Sequence, residues 1–390
     1  MKGRPSAEAD VLIVGAGPAG LVLGALLQGA GVHCLILERQ SREYVENRAR
    51  AGFLAANTVR VLSENGLAAG LAAHGRPHDT CAFRGEHGEF ELTYSDLGRG
   101  EIHTVYPQQL LVADLIVEFL ARGGEIRFGT AVAGIHGVTG ERPWLTCADG
   151  VLSGQFVVGA DGRHGVSRRA VPTRWFQRDH GVSWLAILAE APPSMAAVGY
   201  AIHERGFAGH MARTAEVTRY YLQVPAGEDP ETWPDTRIWD ELGRRMRTAR
   251  YGALKEGRVT ERRVVGMTSQ VLEKLQHGRL FLLGDAASLI SPSAAKGANL
   301  AVMAAEILAR ALIARLKQDD ERPLARYSAD CLPRIWRAQE FSAWMIALLH
   351  GPAGGDGEAA FGRELHNARL ESLRTSRTHQ DFFAENYVGI

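Results

Sequence analysis

Cysteine is scarce in this 390-residue chain. Cys34, Cys81, Cys147 and Cys331 are scattered and form no CxxC pair, so neither a disulfide framework nor a thiolate metal site is expected. There is no HExxH motif and no cluster of His and Cys, which leaves no metal site to propose. An excess of one charge is also lacking: Lys+Arg 44 balance Asp+Glu 44. That removes the electrostatic case for nucleic acid or an anionic membrane as partner. Apolar runs are broken by glycine or charge short of the roughly 20 residues a membrane span needs. The opening "MKGRPSAEAD" lacks the apolar stretch of a secretory signal. Internal repeats and low-complexity tails are absent too. The expectation is a cytoplasmic protein without nucleic-acid or membrane partners, with a homodimer left open.

The chain is long enough for a large core and two or three subdomains. "DVLIV" (10–14) reads as a buried strand, "GAGPAG" follows it, and a helical pattern runs from Leu21 to Gly29. "HCLILE" (33–38) is the next strand, so the chain opens with a β–α–β unit. A helix is expected at about Gln108–Arg122, with strands at 125–128 and 155–161. Residues 181–265 change character, with aromatics, β-type runs and polar turns. The pattern predicts an α/β protein: a Rossmann-like dinucleotide-binding domain (1–180), an inserted antiparallel sheet (181–270), and a third part (271–390) that ends in a helical region.

Three separated motifs carry the chemistry. In "GAGPAG", Gly15 permits the tight turn, Gly17 lets backbone approach a pyrophosphate, and Gly20 lets helix pack on strand. The helix N-terminus then faces the phosphates. Glu38 ends the second strand, where a carboxylate can bond ribose hydroxyls. The second motif, "GADGRHGVSRR" (159–169), sets Asp161 just past a strand, before a basic turn. The third, "GDAASLISPSAAKGANLA" (284–301), offers Asp285 to a sugar hydroxyl, and Pro292 breaks the chain. Lys296–Gly297 then opens a long helix whose amides point outward.

These motifs in this order resemble the FAD-dependent aromatic hydroxylases (class A flavoprotein monooxygenases), most nearly those acting on 4-hydroxybenzoate. "NRARAGFL", "TVYPQ", "RYYLQVP", "HGRLFLLGDAA", "AKGANLA" and "AENYVGI" carry the resemblance along nearly the whole chain. It implies that Gly15, Gly17, Gly20 and Glu38 hold the ADP half of FAD. It implies that Arg50 and Gln108 line the ribityl and pyrophosphate region near Asp161, and that Asp285 holds the ribitol. The amides from Pro292 through Gly297 to Asn299 would lie against the flavin, with Arg219 beside it. Arg39 and Arg48, with Gln40, Arg42 and Tyr44, would recognise the 2′-phosphate of NADPH in preference to NADH. "GMTSQ" (266–270) lacks an arginine that the family often places there.

By the same resemblance, NADPH reduces FAD, O2 adds to give the C4a-hydroperoxide, and one oxygen passes to an electron-rich ring. Arg213 is a planar, permanently charged fork suited to a carboxylate, and Tyr221 can donate a second hydrogen bond. Tyr200 would meet the phenol, and Tyr200, Tyr387 and His78 would form a proton chain. Trp184, Met211, Gly209 and Ser293 fall at pocket positions. Met211 stands where the family has a serine that bonds the carboxylate, Gly209 where it has a leucine, and Phe53 where it has a valine. Ser293 and Ala294 replace threonine and glycine. Gly209 is expected to open volume beside the ring. The expected substrate is therefore a small aromatic acid, a substituted 4-hydroxybenzoate bearing an amino or second hydroxyl group. A halogenase or reductase on the same cofactor fold, and a non-catalytic flavoprotein sensing an aromatic acid, stay open as alternatives.

Overall fold

The computed structural model describes residues 9–48, 52–85, 88–247, 250, 252–351 and 357–389. Strand Ala9–Val14 is almost wholly buried, as a strand covered on both faces must be. It pairs in parallel with Cys34–Leu37 on one side and Gly150–Gly159 on the other. Glu125–Arg127 and Leu280–Leu282 extend this parallel core outward. Helix Pro18–Gly29 crosses one face and packs against the long helix Gly297–Gln318. The α/β expectation is met.

Helix Gly297–Gln318 is long and apolar enough to cross a membrane by composition, contrary to the expectation that every apolar run falls short. Most of its apolar window is buried, between the first helix and helix Arg322–Leu349. Burial in a core selects the same residues as burial in lipid.

The second sheet has eight strands and differs from its expected limits. It begins earlier, with Trp175–Glu190, and ends with Arg258–Leu272 and the short Ser288–Leu289. It also recruits the hairpin Thr80–Gly85 and Gly88–Thr93 from far upstream. That hairpin joins through a parallel pairing with Val198–Ala201, so the sheet is mixed rather than antiparallel throughout. Segment 181–270 therefore does not contain the whole sheet.

Ala208–Ala212 and Thr218–Val224 form the antiparallel pair at its centre. One face carries Tyr220, His210, Leu185 and Ile187 under the amphipathic helix Asp235–Met246. Because side chains alternate, Trp184, Tyr200, Gly209, Met211, Arg219 and Tyr221 belong to the other face. A small third sheet, Phe53–Leu54, His103–Val105 and Arg76–His78, lies beside that face.

Candidate active site

The dinucleotide turn is built from the three glycines, each for its own reason. Gly15 has φ +110°, and a Cβ there would sit 2.5 Å from the Ala160 carbonyl oxygen. A Cβ on Gly20 would lie 2.1 Å from the Gly15 oxygen. Gly17 is different: nothing lies within 4 Å of its Cβ direction. Its open side is where a phosphate can approach backbone. Glu38 fastens the turn from the neighbouring strand, accepting the Ala16 N–H through Oε2 and the Gln40 N–H through Oε1, each at 2.9 Å.

Asp161 turns back on its own loop. Its Oδ2 accepts from the Ser167 N–H and hydroxyl at 3.0 Å. Gly165 permits this, since a Cβ there would overlap the carboxylate. Burial raises the Asp161 carboxyl against those hydrogen bonds, and Oδ1 is buried without a partner among the described residues. Arg168, in the basic turn of the second motif, draws the second and third motifs together. Its guanidinium lies over the Trp175 ring at 3.6 Å and feels the charges of both Asp161 and Asp285. A buried, partner-seeking carboxylate oxygen beside an open glycine turn suits a dinucleotide with sugar hydroxyls and phosphates.

Asp285 sits in a short turn after Gly284, whose φ is +62°. Pro292–Ala294 make another turn, Ala295 adopts a left-handed conformation (φ 51°), and the long helix starts at Gly297. The Asn299 side chain is fully used inside the protein. Its Oδ1 accepts from the Ala55 N–H and the Thr58 hydroxyl, and its Nδ2 donates to the Phe53 and Ala295 carbonyls. Only its backbone is left for a cofactor. Gln108 opens helix Gln108–Ala121. Arg39 and Arg48 are exposed on the segment after Glu38, Arg48 near the Tyr44 ring at 5.9 Å. Arg42 pairs with Glu46 at 2.7 Å. Arg50 lies outside the described residues.

On the sheet, Tyr221, Gly209 and Tyr200 form one row across three strands. Arg213 is 6 % exposed beside Tyr221, and burial lowers its guanidinium to about 10. Arg219 pairs with Glu261 at 3.6 Å. Met211 is buried in the next row. Trp184 stacks on Phe207 with centroids 4.7 Å apart, and lies tilted against Tyr221 at 5.0 Å. Its indole N–H donates to His350 Nε2 at 2.6 Å.

Two expectations change here. Gly209 opens no empty volume: a Cβ there would meet the Phe207 ring tip at 2.9 Å and Tyr221 at 3.3 Å. The missing side chain is filled by Phe207, which a sequence reading confined to Gly209 does not see. Ser293 points its hydroxyl away, into a cluster with Ser291 at 2.8 Å and Ser342 at 3.0 Å, all buried. It pins the loop to helix Arg322–Leu349 and presents only backbone to the other side.

The hydroxyls of Tyr200 and Tyr387 are bonded at 2.8 Å, both rings buried. His78 Nδ1 bonds instead to the Tyr94 hydroxyl at 2.6 Å. Burial holds the His78 imidazole down to about 4, so it is neutral at pH 7. Tyr94 and His103 lie between His78 and Tyr387, packed edge-on against the Tyr387 ring at 5.6 and 5.0 Å. Neither is singled out by the sequence: "ELTYSDL" carries no motif, His103 falls just ahead of "TVYPQ", and only the fold brings the two together. Lys296 is buried, its amine lowered to about 7 by burial, and it donates to the carbonyls of Tyr387 (2.9 Å) and Gly389.

Among known proteins, the FAD binding domain family matches residues 8–342. The chain is 35 % identical over 389 residues to p-hydroxybenzoate hydroxylase of Acinetobacter baylyi, covering 98 % of this chain and 96 % of that protein. It is 28 % identical over 366 residues to a 3-amino-4-hydroxybenzoate 2-monooxygenase of Streptomyces platensis, covering 88 % and 89 %. In fold it is similar to p-nitrophenol 4-monooxygenase of Pseudomonas putida, with TM-score 0.84, 18 % identity and 99 % of each chain covered.

Proposed function

The chain belongs to the FAD-binding family of aromatic monooxygenases, and from that premise we propose that it hydroxylates a ring-substituted 4-hydroxybenzoate with NADPH and O2. The observation that carries the reading is the row Tyr221–Gly209–Tyr200, with Arg213 buried at one end and the Tyr200–Tyr387 hydroxyl pair at the other. One end suits a carboxylate and the other a phenol.

The open turn at Gly17, Asp161 and Asp285 would hold FAD, which would supply the redox chemistry between nicotinamide, O2 and the ring. The chain's residues do the rest. Arg213 binds the carboxylate by a charge-assisted bond, and Tyr221 donates beside it. Tyr200 takes the phenol proton as its own passes to Tyr387, and Tyr387 releases one in turn toward His78 and solvent, which leaves the substrate as phenolate and raises the electron density of the ring for attack. Trp184 and Phe207 exclude water from one side. The amides of the turn at Pro292–Ala294 and the first turn of the following helix stabilise negative charge placed before them.

Met211 cannot donate to a carboxylate, and Phe207 occupies the room beside the row. Both support a pocket shaped for something other than the plain acid, and one similar enzyme is named for 3-amino-4-hydroxybenzoate. The exposed Arg39 and Arg48 support NADPH, and the reading places the enzyme in the cytoplasm. The test is oxygen and NADPH consumption with product identification, comparing 4-hydroxybenzoate, 3-amino-4-hydroxybenzoate and 3,4-dihydroxybenzoate. Plain 4-hydroxybenzoate giving the highest kcat/KM with full coupling would overturn the substituted-ring reading. A higher kcat/KM with NADH would overturn the nucleotide assignment.

A further inference from the structure

The pocket face of the second sheet is supported from behind by His350, which closes helix Arg322–Leu349 and is buried. Its backbone N–H donates to the Ile346 carbonyl at 3.0 Å, and its ring Nδ1 lies 2.8 Å from the same oxygen. Carbonyls near a helix end run short of helical donors, and His350 serves this one twice. On the other side of the ring, Nε2 lies 2.6 Å from the Trp184 indole nitrogen. An indole N–H can only donate. Nε2 is therefore the acceptor, and the ring proton stands on Nδ1, aimed at Ile346. The two bonds select one neutral tautomer in one orientation. Phe207 leans on both partners, 4.7 Å from the Trp184 ring and 5.5 Å from the His350 ring. Its backbone is held by Gln223, whose Oε1 accepts the Phe207 N–H at 3.0 Å and whose N–H donates to the Phe207 carbonyl at 2.8 Å. With the backbone held, the place of the ring is set by Trp184 and His350. That place is the middle of the row Tyr221–Gly209–Tyr200: the ring tip stands 2.9 Å from a Cβ on Gly209, and the ring centroid 6.2 Å from that of Tyr200.

We propose that His350 is a positioning residue that sets substrate specificity: by fixing the plane of Trp184 it clamps Phe207 across the middle of the row, and the clamped ring gauges the bulk an aromatic acid carries between its carboxylate and its phenol. The inference rests on the aromatic-acid reading above. His350 acts through Trp184 and Phe207 rather than on the acid. An apolar side chain of similar size at 350 would fill the space but leave the buried indole N–H without an acceptor, which is costly enough to turn the ring toward another. Phe207 would then lose the flat surface it stacks on. Glycine at 209 fits the same device. A side chain there would displace the Phe207 tip, so the gauge is a ring held from behind rather than one rooted in the row.

The test uses FAD-loaded enzyme carrying His350→Leu or His350→Gln. Leucine accepts no hydrogen bond, whereas the glutamine amide oxygen can take the indole N–H. Labelling tryptophan with nitrogen-15 gives an N–H resonance for each indole, and Trp184→Phe identifies that of Trp184. The resonance should move upfield in His350→Leu and stay near its wild-type position in His350→Gln. Steady-state kinetics compare 3-amino-4-hydroxybenzoate with the bulkier 3,5-dimethyl-4-hydroxybenzoate. In His350→Leu the ratio of their kcat/KM values should narrow by about tenfold or more, the scale on which a pocket discriminates single methyl groups. The change should fall mainly on KM, and His350→Gln should recover most of it. Phe207→Leu is the second variant should His350→Leu fold poorly; it should narrow the ratio similarly while the Trp184 resonance stays. A wild-type ratio in folded His350→Leu or Phe207→Leu overturns the gauge, as does a Trp184 resonance that does not move in His350→Leu. A ratio that stays narrowed in His350→Gln with its resonance at the wild-type position also overturns it. If the wild-type enzyme turns over neither these acids nor 4-hydroxybenzoate, the substrate reading fails and the gauge falls with it, whatever the resonance does.

Discussion

At the scale of single residues, the pocket face of the sheet is decided by what stands behind each position. Gly209 shows this well, because the side chain it lacks would meet the Phe207 ring tip at 2.9 Å. Gly209→Leu should therefore destabilise by ~1–3 kcal/mol through overpacking. Combining it with Phe207→Ala should recover much of that loss, so the two changes are not additive; denaturant melts of the singles and the double check it. Ser293 makes the opposite case. Ser293→Ala should cost ~1 kcal/mol, as a buried neutral hydrogen bond usually does, since Ser291 and Ser342 remain bonded to each other at 2.6 Å. Its KM for the aromatic acid should stay within about twofold. A large KM change would mean that the hydroxyl faces the substrate after all. Met211→Ser should improve plain 4-hydroxybenzoate by ~10-fold or more in kcat/KM if a charge-assisted bond is gained.

At the scale of elements, the glycine-rich turn separates folding from cofactor binding. Gly15→Ala forces a side chain into a left-handed backbone and against the Ala160 carbonyl oxygen, so the apoprotein itself should lose stability. Gly17→Ala places its methyl in open space and should leave the apoprotein melting temperature nearly unchanged while weakening FAD binding. Flavin titration alongside thermal melts of both variants distinguishes the two. The turn, its strand and its helix were all legible in the sequence, because local backbone chemistry dictates them. The strands Thr80–Gly85 and Gly88–Thr93 were not legible as part of the second sheet. They look ordinary, and only tertiary pairing with Val198–Ala201 assigns them. Tyr94 and His103 are not legible for the same reason, since what seats them beside the Tyr387 ring is packing with a residue far away in sequence. Asn299 was placed at the right helix end, but its amide serves to tie that helix to the Phe53 strand.

At the scale of the whole molecule, burial of neutral imidazoles sets an acid limit. Burial pushes His210 and His350 down to about 4. The unfolded chain takes up these protons first, near 6.5, so stability is full above that pH and falls as pH drops toward 4. The gap corresponds to ~3 kcal/mol for each ring at full titration. The melting temperature should therefore fall steadily between pH 7 and pH 4.5, and His210→Phe should flatten that slope. A melting temperature that rises on acidification would contradict the assignment. Protonating His350 would also remove the acceptor for the Trp184 indole, loosening one wall of the pocket over the same range.

The parallel joint between Thr80–Gly85 and Val198–Ala201 also has a consequence for how the chain is made. The upstream hairpin leaves the ribosome more than a hundred residues before its neighbour does. At about 5–20 residues per second, it waits roughly 6–20 s with one edge unpaired. That edge carries Cys81 and Phe83, which end fully buried, and an apolar strand with free backbone groups is a template for wrong pairing. The nascent chain thus passes through an interval in which its parallel sheet is incomplete and the edge of its second sheet is exposed. Yield during synthesis should depend on holdase chaperones far more than the stability of the finished protein would suggest, and a co-expression series with and without them measures that dependence.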